Sequence, residues 1–423
     1  MIARLARLFE DPSVRWLAVA RLIPMMAAPL SLYLLLTRQS VSLRGFYLIA
    51  INVVMLAQLF ETGMGTLVVQ FAARARPVDR GIVRGAAEAW FARMAIVVFA
   101  IGATVGTAVL AAGASSMGIP FLLPWAIVLL CTAAYVWFVP AVCLLEGSGR
   151  VQAVQRVRAV QAVLVAAATL VGLWQGHGMR AAAAAAVAQL LPVVAYVWIA
   201  RRELPVGDAP VGRLAVAYRR EQWRSATVWL AMWAAPQLLT PAAMVFRGAA
   251  TAGDIGVHVA LAFAPAILSV AWLHARYPRF GALVASGAVR TFDDTVRDAL
   301  RQAMAVFGAG SAGLIAIALA APWILPFLGG RVLSASLLAL LLAGNLMIVL
   351  FQAMLAWARA FGDERLAAPV TVACLAMAVG GAGGAALGGA SGAAAGYAGI
   401  GAIVSAILVT GFLRLRAQRL AEA

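Results

Sequence analysis

The chain has 423 residues and a formal net charge of +17, yet only 12% of its residues are charged while 64% are hydrophobic. Soluble domains have about a quarter charged residues, so this composition excludes an ordinary soluble protein. A mean hydropathy of +0.94 over this length requires recurring apolar runs of about 20 residues, each long enough to cross a bilayer as a helix. The sequence therefore predicts an all-α polytopic membrane protein.

Twelve apolar segments separated by polar residues are the predicted membrane-spanning helices. Helices are expected because the segments lack the period-two alternation of barrel strands and because backbone groups in lipid must be paired within the segment. The segments cover residues 14–37, 45–72, 90–112, 119–145, 155–174, 181–200, 225–246, 255–275, 302–325, 333–357, 367–387 and 391–413.

The basic residues are all arginines, and they fall in short clusters between these segments. Twenty-six lie on the side that holds both termini and five on the other, while Arg21 and Arg93 lie within helices. This bias follows the positive-inside rule, so we expect both termini in the cytoplasm and the chain in a bacterial inner membrane. The clustering also argues against nucleic-acid binding, which the net charge alone would allow.

Residues 201–224 are the most polar internal stretch, with two prolines and an arginine-rich amphipathic piece. They are predicted to form a cytoplasmic linker between two six-helix bundles, residues 1–200 and 225–423. Bundles with an even number of helices enter the membrane from the same side, so we expect a pseudo-two-fold axis along the membrane normal. The connection at 276–301 is predicted to be a short cytoplasmic helix that carries Asp293 and its acidic neighbours.

Two motifs resemble the polysaccharide and O-antigen (Wzx-like) flippases of the multidrug/oligosaccharidyl-lipid/polysaccharide (MOP) exporter superfamily. The first is RYPRFGALVA at 276–285, after a helix end with Trp272. It is similar to the family pattern basic-x-Pro-x-Phe-Gly-x-Leu-Ile-Ala. The second comprises RGFY at 44–47, QLFETGMG at 58–65 and VQFA at 69–72, which is similar to the second helix of the same family.

The resemblance implies two six-helix bundles that flank a central cavity and work by alternating access. It also implies a substrate: an undecaprenyl-diphosphate-linked oligosaccharide that moves from the cytoplasmic to the periplasmic leaflet for O-antigen, capsule or exopolysaccharide assembly. A polysaccharide polymerase is a compatible partner. The alternatives are a drug or metabolite cation antiporter of the same superfamily and a membrane glycan polymerase or glycosyltransferase, which the short predicted outer connections disfavour.

Charged residues within the apolar segments are candidate functional residues because a charge in the membrane is costly. Arg21 lies about two turns inside the first predicted helix. Its guanidinium suits a lipid diphosphate, which it can bind with forked, charge-assisted hydrogen bonds. The alternative is an interfacial arginine that reaches back to the lipid headgroups.

Glu61 follows Gln58 by three residues and precedes Gly63 and Gly65. It is a candidate coupling site for H⁺ or Na⁺, since burial favours uptake of a cation by a carboxylate. The alternatives are a structural ion pair with Arg21 or Arg93 and a plain carboxylate at a helix end.

Gln58 and Asn345 are predicted to line a cavity and bind sugar hydroxyls, with interhelical hydrogen bonding as the alternative. Prolines in the first helix of each bundle are predicted hinges; they are Pro24, Pro29, Pro236 and Pro241. We expect no metal site, because the three histidines and three cysteines are dispersed. We expect no cofactor either, and a lysine-free chain cannot form a Walker A loop.

The predicted topology can be tested by cysteine labelling in a variant whose native cysteines are replaced by alanine. A cysteine at Gly329 should react with an impermeant thiol reagent applied to spheroplasts, whereas one at Pro205 should react only after the membrane is permeabilised. The opposite labelling pattern would invert the assigned orientation.

Overall fold

The computed structural model describes residues 12–74, 80–114, 120–203, 213–274, 276–324 and 333–421, and the regular elements in these ranges are all helical. The α-helices are α1 (Pro12–Arg38), α2 (Val41–Leu59), α3 (Gly65–Arg74), α4 (Arg80–Ile101), α5 (Thr107–Ala114), α6 (Leu122–Gly147), α7 (Val151–Trp174), α8 (Gly178–Glu203), α9 (Arg213–Gln237), α10 (Leu239–Arg247), α11 (Ala249–His274), α12 (Tyr277–Ala285), α13 (Val289–Ile324), α14 (Ala335–Ala360) and α15 (Ala367–Ala421). Two π-helical turns, Phe60–Met64 and Gly102–Gly106, join α2 to α3 and α4 to α5.

The twelve predicted segments all coincide with helices. Among the described residues, eight helices are long and apolar enough to cross a membrane, and the bent pair α9–α10 makes a ninth. The 55-residue α15 contains two helices, because Gly388 and Gly389 are non-helical. Helices α1 and α2 contain shorter apolar runs, 22–38 and 41–57. The prediction of an all-α polytopic membrane protein is confirmed.

The chain forms two compact units, of which the first ends at Ala226 and the second begins at Thr227. Helix α9 starts in the first unit, where the Gln222 side chain donates a hydrogen bond to the Met64 carbonyl at 3.1 Å. The predicted linker, 201–224, is helical where the structure describes it; residues 204–212, which include Pro205, lie outside the described part, as does Gly329.

Each unit is built around one central helix, α6 in the first and α14 in the second. In the most apolar stretch of each helix, 61% of the residues of α6 and 67% of those of α14 are buried. The corresponding fraction is 17% in the segments 80–114 and 289–323. In the first unit α6 packs against α4 and α8, and in the second α14 packs against α11 and α15. Outer helices expose large apolar side chains such as Ile96, as expected for surfaces that face lipid instead of water.

The predicted hinge prolines lie in two different settings. Pro24 and Pro29 lie within the unbroken helix α1. Pro236 and Pro241 flank a break at Leu238, where the chain bends by 44° between α9 and α10. Proline has no N–H to donate to the carbonyl four residues back, and its ring clashes with that carbonyl. Pro241 therefore ends the helical hydrogen-bond ladder at Gln237.

The acidic residues near 293 belong to a different element from the one predicted. Helix α12 is short, as expected, but Asp293 lies in the first turns of α13, which continues without a break into the ninth predicted span. Phe292, Val296 and Ala299 are buried, and their spacing of four and three residues keeps one apolar helical face. That continuous face explains why the connection does not end before the span.

The two halves of α15 form a tightly packed antiparallel hairpin about Gly388 and Gly389, where Gly389 has a φ of +62°. A Cβ atom on Gly384 would overlap the backbone of Gly392, and one on Gly380 would lie 3.0 Å from the carbonyl oxygen of Gly396. Glycines four residues apart lie on one helical face and let two helices approach closely in a membrane. The glycines of this region therefore serve close packing of the two helices.

The hairpin predicts a position-dependent cost for added side chains. Gly392→Ala should destabilise the second unit by about 1–3 kcal/mol, because its Cβ would overlap the Gly384 backbone and the helices must separate. Gly383→Ala is the matched control, since no heavy atom lies within 4 Å of its added Cβ. Thermal unfolding of the purified protein in detergent measures both, and equal melting temperatures would contradict the close approach.

Candidate functional site

Glu61 lies in the π-helical turn Phe60–Met64, whose closing hydrogen bond runs from the Gly65 N–H to the Phe60 carbonyl. π-Helical turns insert one residue into an α-helix and are frequent at functional sites. Gly65 permits close contact with α6, because a Cβ atom there would lie 2.6 Å from Cys143 Sγ. The turn thus carries the Glu61 side chain into the first unit, where only 8% of it is exposed.

Arg158 on α7 is the cationic partner of Glu61. Its Nε donates to Glu61 Oε1 at 2.6 Å. Its two terminal nitrogens bind both carboxylate oxygens of Glu146, the last acidic residue of α6, at 3.2 and 2.7 Å. This is a forked arginine–carboxylate pair, the strongest geometry for such bonds. Within the described part of the chain, one guanidinium therefore holds two carboxylates.

Tyr135 completes the coordination of Glu61 by donating its hydroxyl hydrogen to Oε2. Gln161, one turn beyond Arg158 on α7, lies within hydrogen-bonding reach of the Tyr135 hydroxyl and donates to the Gln189 carbonyl at 2.9 Å. We call Glu61, Tyr135, Glu146, Arg158 and Gln161 the Glu61 cluster. It connects the π-turn, α6, α7 and α8 within the first unit.

The Glu61 cluster lies toward the predicted cytoplasmic ends of its helices. Glu61 is twenty residues from the start of α2, which is about 30 Å along a helix. Glu146 is one residue from the end of α6, and Arg158 is in the second turn of α7. The side chains of Arg158 and Glu146 are 25% and 20% exposed.

The shared guanidinium determines what this arrangement can do chemically. A carboxylate in a low-dielectric interior is costly unless it is paired. Uptake of a proton or a monovalent cation by Glu61 or Glu146 would weaken the pairing of that carboxylate with Arg158. The bonds within the cluster therefore depend on the charge of its carboxylates.

One alternative that the sequence left open for Glu61 was an ion pair with Arg21 or Arg93. Arg93 is exposed on α4, and in the described part of the chain Glu61 pairs with Arg158, near the start of the predicted span 155–174. The missed indication is a polar stripe on α7: Gln155, Arg158 and Gln161 recur every three residues. Side chains at that spacing lie on one helical face, and both glutamines are buried.

The remaining predicted site residues are dispersed. Arg21 lies in α1 and Gln58 in the last turn of α2, and the side chains of both lie outside the described part of the structure. Asn345 is buried on α14 in the second unit, where it donates to the Ala262 carbonyl at 2.8 Å and accepts from the Tyr397 hydroxyl at 2.9 Å. These bonds join α11, α14 and α15, and a role of Asn345 in sugar binding stays a prediction.

A second buried charge network lies in the second unit. Asp293 is 3% exposed and accepts hydrogen bonds from Arg416 Nε at 2.6 Å and from Trp357 Nε1 at 3.1 Å. These bonds join the start of α13, the end of α14 and the end of α15. All formal charges here are matched by neighbouring arginines, since Arg297 Nη2 also lies 2.9 Å from Asp293. The network is therefore structural and differs from the Glu61 cluster.

Asp363, in the loop between α14 and α15, belongs to the same end of the second unit. Burial raises the pKa of this carboxyl, but hydrogen bonds from the Arg365 N–H and the Arg419 guanidinium lower it by more, so the pKa is below its ordinary value. Ionised Asp363 therefore stabilises the fold at pH values above the ordinary pKa of aspartate. This stabilisation is lost as the pH falls through the lowered pKa of the folded state. At neutral pH the Asp363 carboxyl is thus ionised and holds the loop in place.

Among the described residues, no group of three or more His, Cys, Asp or Glu side chains is placed to hold a metal ion. Buried His258 instead accepts the Ser334 N–H at its Nε2, at 2.8 Å, and its Nδ1 lies 2.8 Å from the Asp254 carbonyl. It fastens the start of α14 to α11.

Comparison with known proteins finds similarity in structure but not in sequence. The sequence matches no protein-family profile and no curated protein. An inward-facing multidrug resistance MATE family transporter of the MOP superfamily has a TM-score of 0.69 at 15% identity, over 96% of this chain and 100% of that chain. The lipid II flippase MurJ, in an inward closed conformation, has a TM-score of 0.68 at 9% identity, over 95% and 90%. The chain has the fold of MOP-superfamily transporters.

A third solved structure extends this likeness to a transporter from Pyrococcus furiosus. It is a MOP-superfamily transporter whose binding pocket is described as reversed in polarity, with a TM-score of 0.55 at 17% identity over 97% of this chain and 96% of that chain. At such identities the likeness is one of fold alone.

The shared guanidinium of the Glu61 cluster predicts asymmetric effects of mutation on stability. Arg158→Gln should destabilise the first unit by about 3–5 kcal/mol, because it leaves two carboxylates without their cation. Combining it with Glu61→Gln should restore part of that loss. Arg301→Gln is the control, since its exposed pair with Asp298 is worth at most about 1 kcal/mol.

The three variants are compared by thermal unfolding in detergent at neutral pH. If Arg158→Gln melts at the same temperature as Arg301→Gln, the guanidinium does not hold the two carboxylates as described.

Proposed function

We propose that the protein is a flippase for an undecaprenyl-diphosphate-linked oligosaccharide. It moves this lipid from the cytoplasmic to the periplasmic leaflet of a bacterial inner membrane by alternating access, with both of its own termini in the cytoplasm. The product feeds O-antigen, capsule or exopolysaccharide assembly, where a polysaccharide polymerase is the proposed partner.

The observation that carries this proposal is the likeness to the lipid II flippase MurJ over 95% of the chain. That neighbour is a flippase of a lipid, and its fold covers both units of this chain. MATE transporters with the same fold have both inward-facing and outward-facing structures, which supports alternating access. The motifs at 44–72 and 272–286 support a polysaccharide lipid as the substrate.

Arg21 is the proposed ligand of the diphosphate. It lies within α1, the first helix of the first unit, and a guanidinium binds phosphate oxygens with two parallel hydrogen bonds. Gln58, one turn before Glu61, is proposed to bind sugar hydroxyls. The interrupted segments at Phe60–Met64 and at Leu238 are the proposed points of bending.

The Glu61 cluster is the proposed coupling site. Its two carboxylates share the Arg158 guanidinium, which supports uptake of one H⁺ or Na⁺ by one of them, and its partial exposure at the predicted cytoplasmic end supports release of that ion there. Because Glu61, Tyr135 and Arg158 join three helical elements, a change in the charge of Glu61 alters the bonds between them. Ion binding is in this way linked to helix packing.

A drug or metabolite cation antiporter is the second candidate. The MATE multidrug transporters share the fold as well as MurJ does, and the carboxylates of the Glu61 cluster are compatible with an organic cation. The arginine in α1 favours an anionic substrate instead. A membrane glycan polymerase or glycosyltransferase is supported by none of the structural neighbours named above, all of which are transporters.

The function is tested by transport in liposomes that contain the purified protein and a fluorescent undecaprenyl-diphosphate oligosaccharide. We expect protein-dependent flipping that is accelerated by a gradient of H⁺ or of Na⁺. Arg21→Ala should abolish flipping and Arg21→Lys should retain part of it. Glu61→Gln should remove the dependence on the gradient, whereas Glu88→Gln, at a carboxylate of α4 that pairs with Arg84 and lies outside the cluster, should retain it.

The same liposomes are loaded with a fluorescent organic cation in a parallel assay. Transport of the cation without flipping of the lipid would overturn the flippase proposal and establish the antiporter. Full flipping by Arg21→Ala would overturn the assignment of the diphosphate ligand.

A further inference from the structure

A small cavity lies in the second unit where α11, α12 and α13 meet. Its volume is about 170 Å³, and it is lined by Arg276, Arg279, Thr295, Asp298, Ala299 and Gln302. Neither the Glu61 cluster nor the predicted site residues contribute to it. The cavity has two arginines in its wall and a third nearby, because Asp298 pairs with Arg301 at 3.3 Å.

Arg276 is fixed in place at this cavity. Its Nη2 donates to Gln302 Oε1, and the same oxygen accepts from Trp272 Nε1 at 3.2 Å. The guanidinium carbon lies 5.3 Å from the centre of the Trp272 ring, within the range of a cation–π interaction. Trp272 and Gln302 thus determine the direction of a side chain that would otherwise sample many rotamers.

One end of this guanidinium has hydrogens to donate. Arg276 Nη1 is buried and has no hydrogen-bond partner within the described part of the chain. A buried donor without a partner is unfavourable because it has lost its hydrogen bonds to water, and more so when it is charged. An anionic oxygen in the cavity would accept this hydrogen bond, and Arg279, exposed on α12, would supply a second positive charge.

The surroundings of the cavity favour phosphate as the anion. Guanidinium groups bind phosphate oxygens with matched geometry. A volume of about 170 Å³ is several times that of a water molecule, at about 30 Å³, and is sufficient for one tetrahedral group. Trp272 is 45% exposed near the end of α11, and tryptophan is enriched at the level of the lipid headgroups. Phosphate is the anion that is concentrated at that level.

We propose that this cavity, centred on Arg276, binds a phosphate group at the headgroup level of the membrane. The group is either the phosphate ester of an anionic membrane lipid or a free phosphate. The site belongs to the second unit alone and does not depend on which substrate the protein transports. Arg276 is the ligand, Arg279 adds charge, and Gln302 positions Arg276.

The proposal is tested by binding of short-chain phosphatidic acid to the purified full-length protein in detergent, measured by native mass spectrometry. Arg276→Gln should weaken binding by about tenfold or more, the change that corresponds to 1.4 kcal/mol. Gln302→Leu, which keeps the charge but removes the positioning bond, should weaken it severalfold. Arg414→Gln is the matched control, because it removes an exposed arginine from α15 in the same unit without touching the cavity.

Inorganic phosphate is added as a competitor to distinguish the two sources. Competition shows that the phosphate group alone is recognised, whereas lipid binding that persists in excess phosphate shows that a membrane lipid is the ligand; both support the site. Equal weakening by Arg276→Gln and Arg414→Gln would overturn the proposal, since it would reveal only diffuse attraction. If Arg276→Gln melts at a lower temperature, Gln302→Leu decides, and unchanged binding by that variant overturns the proposal.

Discussion

The absence of water inside a bilayer makes every buried charge depend on a protein partner, and the first unit depends on one such partnership. Arg158 lies 2.6 Å from Glu61 and also binds Glu146 through both of its terminal nitrogens. Without it, two carboxylates would face a low-dielectric interior, which costs several kcal/mol. Because these residues come from the π-turn, α6 and α7, the ion pairs also determine how the three elements pack. The same bonds thus serve stability and the proposed coupling.

The regular helices are interrupted at several points, and one of these interruptions positions Glu61. The π-turn at Phe60–Met64 inserts one extra residue, which turns Glu61 into the unit, and Gly65 lets the turn approach α6. In the second unit Pro241 ends a ladder of hydrogen bonds, and Gly389 reverses the chain within α15. The last two of these interruptions have an identifiable chemical cause, the missing N–H of proline and the positive φ of glycine.

Among the described residues, the arginines include three contrasting environments. Arg158 and Arg416 neutralise buried carboxylates, Arg276 presents a buried donor to a small cavity, and exposed residues such as Arg414 remain at the surface. The positive-inside rule describes where arginines fall along the chain, but it does not separate these environments. The environments differ in the burial of each guanidinium and in the acceptors to which it donates hydrogen bonds.

The sequence by itself determined the twelve apolar segments, the helical class and the close packing of the glycine-rich hairpin, because these follow from local hydropathy and from the spacing of small residues. It also gave Glu61 as a candidate site residue. Only the tertiary structure decided that its partner is Arg158, ninety-seven residues away, that Asp293 belongs to α13, and that Asn345 bonds with Ala262 and Tyr397. Pairing between distant residues depends on how helices rotate and pack. The spacing of polar residues within α7 indicates which face is polar, but it does not indicate which helix that face meets.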